Sequence, residues 1–495
     1  MDDLKEKTIR GGVARLCAQV IFFLLRIGTL VILARLLGPK DFGLVGMVTA
    51  FTGILNLFRD FGLSTATVQR LDVSEDQIST LFWVNIGVGA ILTALTLAAA
   101  PFVASFYHEP VLVYVTAVLA ACFLFNAAGV QHSALLQREM RFTELAIINV
   151  VSQTIGMVVG IGMAIGGYRY WSLVALTLSI PLVSSICLWV ATKWVPTMPR
   201  DRTGVRSMVR FGGTVTLNTL VVYLAYNMDK VLLGRFWGAQ ALGIYGRAYQ
   251  FINIPTDNFN SAVGEVAFSA LSRIQDNPSR LRDYFLKGYS LALSLTIPIT
   301  IICAVFSYDL IFVLLGEKWN EAAPIFRALV PTVIVFALIN PLGWLLLAVG
   351  QIGRSLKIAF VIAPLVISGY LIGLPYGPKG VALGFSTALM LWLLPHIFWC
   401  TRGSVISFRD ICVAAGRPLF AGAGATMFAW VAQLAYGHLL SALSRLVVGC
   451  AILLLVYLAL LLFGMKQMVF YRSLLEGWRD RTNAGSKVAV SAQTG

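Results

Sequence analysis

The sequence predicts an all-α polytopic membrane protein of about 14 transmembrane helices, with two parallel six-helix lobes followed by two C-terminal helices. Three observations carry this: the balance of apolar and charged residues, the length of the apolar runs, and a weak internal repeat at one offset. Of 495 residues, 58% are hydrophobic and only 12% charged, whereas soluble domains carry about 25% charged residues. A bilayer core ~30 Å thick takes roughly 20 apolar residues per helix, so each run of that length reads as a span. Six such runs lie near 15–37, 42–63, 79–103, 111–131, 144–167 and 171–192. Six more lie near 212–234, 243–268, 286–306, 324–349, 355–375 and 378–400, and the last two near 412–435 and 440–463. The run at 243–268 is the most polar. The charged start MDDLKEKTIRGGVAR leads into its run with no small-residue cleavage site, so the first helix is expected to be retained.

The net charge of +15 invites a nucleic-acid reading, and its distribution argues against one. With the N-terminus inside, one set of loops holds most of the Lys and Arg, from Lys5, Lys7 and Arg10 through Arg138, Arg141, Arg200 and Arg206 to Arg402 and Lys466. The opposite set holds little beyond Lys40, Arg169, Arg235, Lys318 and Lys379. That imbalance, roughly fourfold or more, is the positive-inside pattern, and it places both termini in the cytoplasm. The protein is thus expected in the cytoplasmic (inner) membrane, and the excess charge reports topology. The seven cysteines are scattered without CxxC spacing and read as packing residues. After the last span, Met468, Tyr471, Leu475 and Trp478 share one helical face suited to the inner leaflet, and the final residues read as a disordered tail.

The repeat sets the architecture. An offset of 200 lays A34RLLGPKDFGLVGMVTAF51 over G234RFWGAQALGIYGRAYQF251, pairing Arg35 with Arg235, Gly38 with Gly238, Gly43 with Gly243, Gly46 with Gly246 and Phe51 with Phe251. Glycines at a helix-turn-helix corner suit a tight turn and close helix contact. Six helices per half give both halves one orientation, the parallel repeat of transporters that rock two halves about a central site. The expected divisions are 1–200, 201–410, 411–465 and 466–495.

Polar residues inside the runs mark that site. A charge near the bilayer centre costs at least about 2.5–3.5 kcal/mol and faces protein or a wet cavity. Thr49, Thr52, Asn56 and Arg59 with Asp60 recur at steps of three and four along the second helix. Gln250, Asn253, Asp257, Asn260 and Glu265 do so in the eighth, and Thr219, Tyr223, Asn227 and Lys230 beside Asp229 in the seventh. In the first, Gln19, Arg26 and Thr29 fall on roughly one side. Arg26 sits about 16 Å into its helix, where a guanidinium suits a hydrated lumen. Arg59 lies about 25 Å below Phe42, near the inner boundary, where two readings stay open: snorkelling, or an entrance site. Gln19, Asn56, Tyr223, Asn253 and Asn260 suit sugar hydroxyls, and the arginines suit phosphate. Asp60, Asp229, Asp257 and Glu265 are the candidates for a coupling proton or sodium ion. There is no HExxH, no GxxxxGK[ST] and no GxSxG, and the four histidines lie far apart. A metal, ATP or hydrolytic chemistry is therefore not expected, and no cofactor beyond a coupling ion is.

Four stretches, LARLLGPKDFGLVGMVTAF, FRDFGLSTATVQR, GRAYQFINIPTDNFNSAVGEVAFSALSRIQDN and LLGEKWNEAAPIFRALVP, resemble the polysaccharide exporters of the multidrug/oligosaccharidyl-lipid/polysaccharide superfamily, the Wzx-type flippases. The resemblance runs to about residue 465 and is nearest the exopolysaccharide or colanic-acid-like branch. It implies alternating access by two lobes and movement of undecaprenyl-diphosphate-linked oligosaccharide across the cytoplasmic membrane, with Arg26 and Arg59 in a cationic lumen. It also implies a monomer working beside polysaccharide polymerase and chain-length or export proteins. In related lipid II flippases an extra helix pair forms a groove for the lipid tail, which suggests the same for the last two helices here. The rival readings are an ion-coupled multidrug exporter, and a polymerase or acyltransferase built on His108, Glu109, Asp309, Glu317 and Glu321. The stretch EKWNEAAP is expected to cap the helix that follows it.

Overall fold

In a computed structural model the chain is described over residues 2–59, 74–198, 205–436 and 439–465, with short pieces at 467–468 and 471–472. Side chains are described from Gln19 onward, except at 205–219, 221, most of 255–269 and a few further positions. The described residues form helices and no strand. In chain order these are α1 (Asp2–Leu36), α2 (Pro39–Asn56), α3 (Glu75–Tyr107), α4 (Leu112–Arg138), α5 (Phe142–Ile165), α6 (Tyr170–Thr192) and α7 (Val205–Arg273). There follow α8 (Pro278–Val305), α9 (Ser307–Leu315), α10 (Ala322–Ala348), α11 (Ile352–Gly373), α12 (Gly377–Thr401), α13 (Phe408–Tyr436) and α14 (Ala442–Ala459). Among the described residues, ten stretches are long and apolar enough to cross a membrane, and one of them, Lys357–Thr401, contains two helices. Large apolar side chains such as Ile91, Phe102, Ile165, Phe420 and Leu455 are exposed along these helices, as a lipid-facing surface requires. The molecule is a multi-pass membrane protein.

The helices follow the apolar runs with two local differences. The runs at 212–234 and 243–268 are two helices that follow each other without a loop, the two arms of α7, broken at Gly238, where φ is 78 and ψ −177. That backbone region is open to glycine and closed to side chains. A short helix, α9, also stands apart from its neighbours. Its nine residues follow α8 after a single residue, Phe306, so the apolar run shows no break there.

The chain divides into two compact units, each best described by itself. The first comprises Met1–Gln250, Leu314–Ala328 and Leu356–Ala388. Within it α3 packs on α4, α5 and α4 pack on α6, and α1 lies along α5. The repeat-related corners meet here. A Cβ on Gly43 would lie 1.7 Å from the Ala239 carbonyl oxygen, and one on Gly243 would lie 1.9 Å from that of Pro39. Backbone therefore touches backbone where α2 crosses the second arm of α7. Around this contact Trp319 is fully buried, donates its indole N–H to the Ala34 carbonyl at 2.8 Å, and meets the Phe42 ring edge-on at 5.4 Å. The EKWNEAAP stretch thus does more than lead into α10: its tryptophan seals the α1–α2 corner. Lys40 pairs with Glu109 at 3.6 Å, and Arg235 donates to the Phe106 carbonyl at 2.7 Å while contacting His108.

The second unit comprises Phe251–Val313, Leu329–Ser355 and Leu389–Gly495. In it α8 holds both C-terminal helices, α13 and α14. Tyr457 of α14 donates to the Ser294 carbonyl at 3.0 Å, and Tyr471 reaches the Ser294 hydroxyl. Arg445 grips Asp309 through Nε at 2.9 Å and through a second nitrogen, and Arg282 grips Asp410 at 3.0 and 2.6 Å. The remainder of the expected amphipathic segment and tail lies outside the described residues.

Gly43→Ala is expected to lower the thermal midpoint of the detergent-purified protein by about 1–3 kcal/mol equivalent, since backbone must move to admit the methyl group. Gly28→Ala is the matched control, because a Cβ there meets nothing within 4 Å. Equal midpoints for the two variants would show that the corner contact is looser than described.

Candidate functional site

Of the residues singled out by sequence, Gln19, Arg26, Asn56, Arg59, Tyr223 and Asp229 belong to the first unit and Asn253, Asp257, Asn260 and Glu265 to the second. Asp60 and the side chains of Asp257, Asn260 and Glu265 lie outside the described residues. Asn253 is half-buried. Arg59 is half-buried in the turn that follows α2, with its N–H on the Asn56 carbonyl at 3.2 Å. Asn56 is exposed and donates to the Thr52 carbonyl one turn back at 3.3 Å. Tyr223 directs its hydroxyl to the Ala50 carbonyl at 3.5 Å and, with Asn227, lines an apolar cavity of about 160 Å³ between α2, α3 and the first arm of α7. Gln19 borders a separate cavity.

Arg26 is exposed on α1 and makes no ion pair among the described residues. Eleven residues separate it from Leu37, so it lies about 16 Å along the helix from the corner. Two further cations stand on α7. Lys230 lies about 12 Å before the Gly238 bend and Arg247 about 13 Å beyond it, on the two arms of α7. Since the corners themselves are in contact, Arg26 and Lys230 lie at similar depths below them, whereas the Arg247 guanidinium turns back onto Phe42 beside the corner.

Each α7 cation is held differently. The Lys230 ammonium donates to the Asn227 side-chain oxygen at 2.6 Å and lies 5.0 Å from the centre of the Tyr249 ring. The Arg247 guanidinium sits 4.3 Å over the Phe42 ring, and its Nε is buried without a hydrogen-bond partner among the described residues. Aromatic faces attract cations, and a desolvated guanidinium over a ring gains about 2 kcal/mol. Sequence reading had not placed Arg247 in the site. Its signal was in the repeat, where the matching residue is Met47, fully buried: one half carries a cation where the other carries core.

Asp229, beside Lys230, is not on an open surface. It is fully buried, accepting the Tyr245 hydroxyl at 2.7 Å and the Lys230 N–H at 2.8 Å. A tyrosine cluster surrounds it: Tyr226, Tyr249 and Tyr370 all pack on Phe385, and the buried Tyr370 hydroxyl has no hydrogen-bond partner among the described residues. Of the residues a polymerase would use, Glu317 and Glu321 are exposed in the first unit and the other three are engaged. His108 contacts Arg235, Glu109 pairs with Lys40, and Asp309 belongs to the other unit, gripped by Arg445. No group of three metal-ligating residues gathers among the described residues.

A family model described as "Polysaccharide biosynthesis protein" matches residues 32–324. The teichuronic acid biosynthesis protein TuaB of Bacillus subtilis (strain 168) is 31% identical over 378 residues, covering 70% of this chain and 77% of that protein. The lipopolysaccharide biosynthesis protein WzxC of Escherichia coli (strain K12) is 27% identical over 392 residues, covering 77% and 78%. Among solved structures, the lipid II flippase MurJ in its inward closed conformation shares the fold, with TM-score 0.75 at 14% identity over 94% of this chain and all of that one.

Tyr245→Phe removes the only side-chain donor described on the buried Asp229 carboxylate. It is expected to cost about 1–3 kcal/mol, read as a lower unfolding midpoint, because a buried acceptor loses its partner. Asp229→Asn in the same background should recover part of the loss, since an amide oxygen is cheaper to bury than a carboxylate.

Proposed function

The chain belongs to the polysaccharide biosynthesis protein family, and we propose from that membership that it translocates undecaprenyl-diphosphate-linked oligosaccharide repeat units across the cytoplasmic membrane by alternating access. The observation that carries the proposal is the pair of cations Arg26 and Lys230 at similar depth below the corner, with the Arg247 guanidinium nearer to it against Phe42. A mid-membrane cation costs several kcal/mol unless a polar cavity or an anionic ligand meets it. Guanidinium groups match the oxygens of a diphosphate bidentately, and the ammonium adds a point charge. A drug cation would be repelled at this level. The contact of the two glycine corners then closes the route on the outer side, with both termini in the cytoplasm and Arg59 at the inner boundary as the first cation met from the inner leaflet.

On this reading the protein is a transporter without catalytic residues. It works as a monomer that hands its product to polysaccharide polymerase and chain-length or export proteins. The exposed apolar faces of α13 and α14, including Phe420, Phe428 and Val447, offer a surface for the lipid tail. A coupling proton or sodium ion enters at one of the acidic residues. Asp229, enclosed by Tyr245 and the tyrosine cluster, suits a proton better than a metal ion, which would need several oxygen ligands around it.

The deletion strain is expected to accumulate lipid-linked saccharide on the inner leaflet, identified by mass spectrometry; accumulation on the outer leaflet would favour a polymerase instead. Complementation with Arg26→Ala should lower export about 10- to 100-fold, the equivalent of the ~1.5–3 kcal/mol of a hydrogen bond to a charged group. Arg26→Lys should recover part, because charge returns without the fork, and full export by Arg26→Ala would remove Arg26 from the lumen. For coupling, Asp229→Asn and Asp257→Asn are each compared with wild type for loss of export on adding an uncoupler. The coupling residue is the one whose amide form no longer responds.

A further inference from the structure

A second cavity, of about 350 Å³, lies inside the first unit between α1, α4, α5 and α6. It falls within the ~300–1,000 Å³ typical of small-molecule sites, and its lining is unlike that of a lipid or drug pocket. Gln19, Gln137 and Asn149 present side-chain amides, and Ser133 and Ser184 hydroxyls. Gln137 is tied to the Ser133 hydroxyl at 3.2 Å, while Gln19, Asn149 and Ser184 have no side-chain hydrogen bond among the described residues. No carboxylate, ammonium or guanidinium is among the described lining residues. Phe22 and Phe142 add ring surface.

We propose that this cavity is a neutral-carbohydrate subsite, which holds the sugars next to the diphosphate of the translocated molecule. The proposal rests on the flippase reading for the identity of the whole substrate. Its chemistry stands on the lining. An amide offers two donors and an acceptor, and a serine hydroxyl both, so five such groups match a polyol's mixed donors and acceptors without demanding charge. Phenyl rings cover the apolar C–H faces of pyranoses. Among the described lining residues an ammonium drug finds no carboxylate and an isolated phosphate no cation.

Position links the cavity to Arg26. Gln19, Phe22 and Arg26 are spaced by three and four residues, so they form one stripe on α1, with Gln19 about 10 Å from Arg26 along the helix. An anion seated at Arg26 therefore extends its attached sugars along that stripe into the amide-lined cavity. Two of the pocket's lining residues, Ile148 and Leu188, form a packed apolar cluster with Leu136. Selectivity follows from this split. The cations recognise what all lipid-diphosphate substrates share, and the amide cavity recognises the sugar.

The test is saturation-transfer NMR on the full chain in phosphatidylethanolamine/phosphatidylglycerol nanodiscs. The probes are free oligosaccharides cut from the producing cell's own polysaccharide, together with neutral and uronate-containing tri- and tetrasaccharides. Neutral saccharides should give saturation transfer that falls at least about fivefold in Gln19→Leu/Asn149→Leu and persists in Arg26→Ala. The near-isosteric Gln19→Glu/Asn149→Asp, which keeps cavity shape, should also reduce it. Signal unchanged by both double variants, binding of uronate-containing saccharides only, or binding of none of the probes would overturn the subsite. Export assays separate the two proposals: neutral-sugar binding without inner-leaflet accumulation in the deletion strain would keep the subsite and discard the flippase.

Discussion

Two backbone segments, one from each half of the repeat, touch without side chains between them, and the first unit is arranged around that touch. Gly43 lies on Ala239 and Gly243 on Pro39, closer than any residue with a Cβ would permit. With α2 and the second arm of α7 this near, the Phe42 ring meets both the Trp319 indole, in a T-shaped contact, and the Arg247 guanidinium. The depth of Arg26 and Lys230 below the corners is a further consequence, because helical rise converts residue counts into distance from one shared point.

Several polar groups inside the units are held by a neighbour that lowers their cost in a medium without water, while others, such as the Asn85 amide and the Tyr370 hydroxyl, have no hydrogen-bond partner among the described residues. Lys230 has Asn227 and a tyrosine face, Asp229 has Tyr245, and Arg247 has a phenyl face. Serine and threonine hydroxyls turn back to the carbonyl four residues earlier, as at Thr29, Thr96, Ser152 and Thr300, which satisfies them within their own helix. In the second unit the ion pairs sit at helix ends. Arg445 with Asp309 and Arg282 with Asp410 fasten α14 and α13 to the α8–α9 segment where water or head groups can share the cost. Buried length is thereby left to apolar packing, as in the cluster of Phe306, Ala429 and Leu453.

Helix positions were legible because a span must be long and apolar, and the corner was legible because the repeat pairs Gly43 with Gly243, where a Cβ would strike backbone. Periodicity within one helix, however, does not say which helices are neighbours. Gln19 was read with Arg26 as one polar side, yet the residues that complete its cavity come from the ends of α4, α5 and α6, far along the chain. Arg247 was passed over because it stands alone among apolar and aromatic residues and extends no stripe; comparison with Met47 carried the information. Asp229 looked like a lumen group beside Lys230, and only the fold reveals that adjacent residues on α7 face different surroundings, one closed by Tyr245 and the other turned to Asn227. Trp319 was read as part of a loop cap because nothing local announces that an indole will cross to the first corner.

The glycine contact has a thermodynamic character of its own. Because it is made of backbone and small groups, parting it uncovers little apolar area, and at about 25 cal/mol per Å² such a surface holds the segments together only weakly. Larger restraint comes from its periphery, where Lys40 with Glu109 and Arg235 with the Phe106 carbonyl are polar links that water can replace. A joint built this way is exact in position yet shallow in energy. It can define one state sharply without trapping the molecule there, so a ligand contributing a few hydrogen bonds has enough free energy to shift its occupancy.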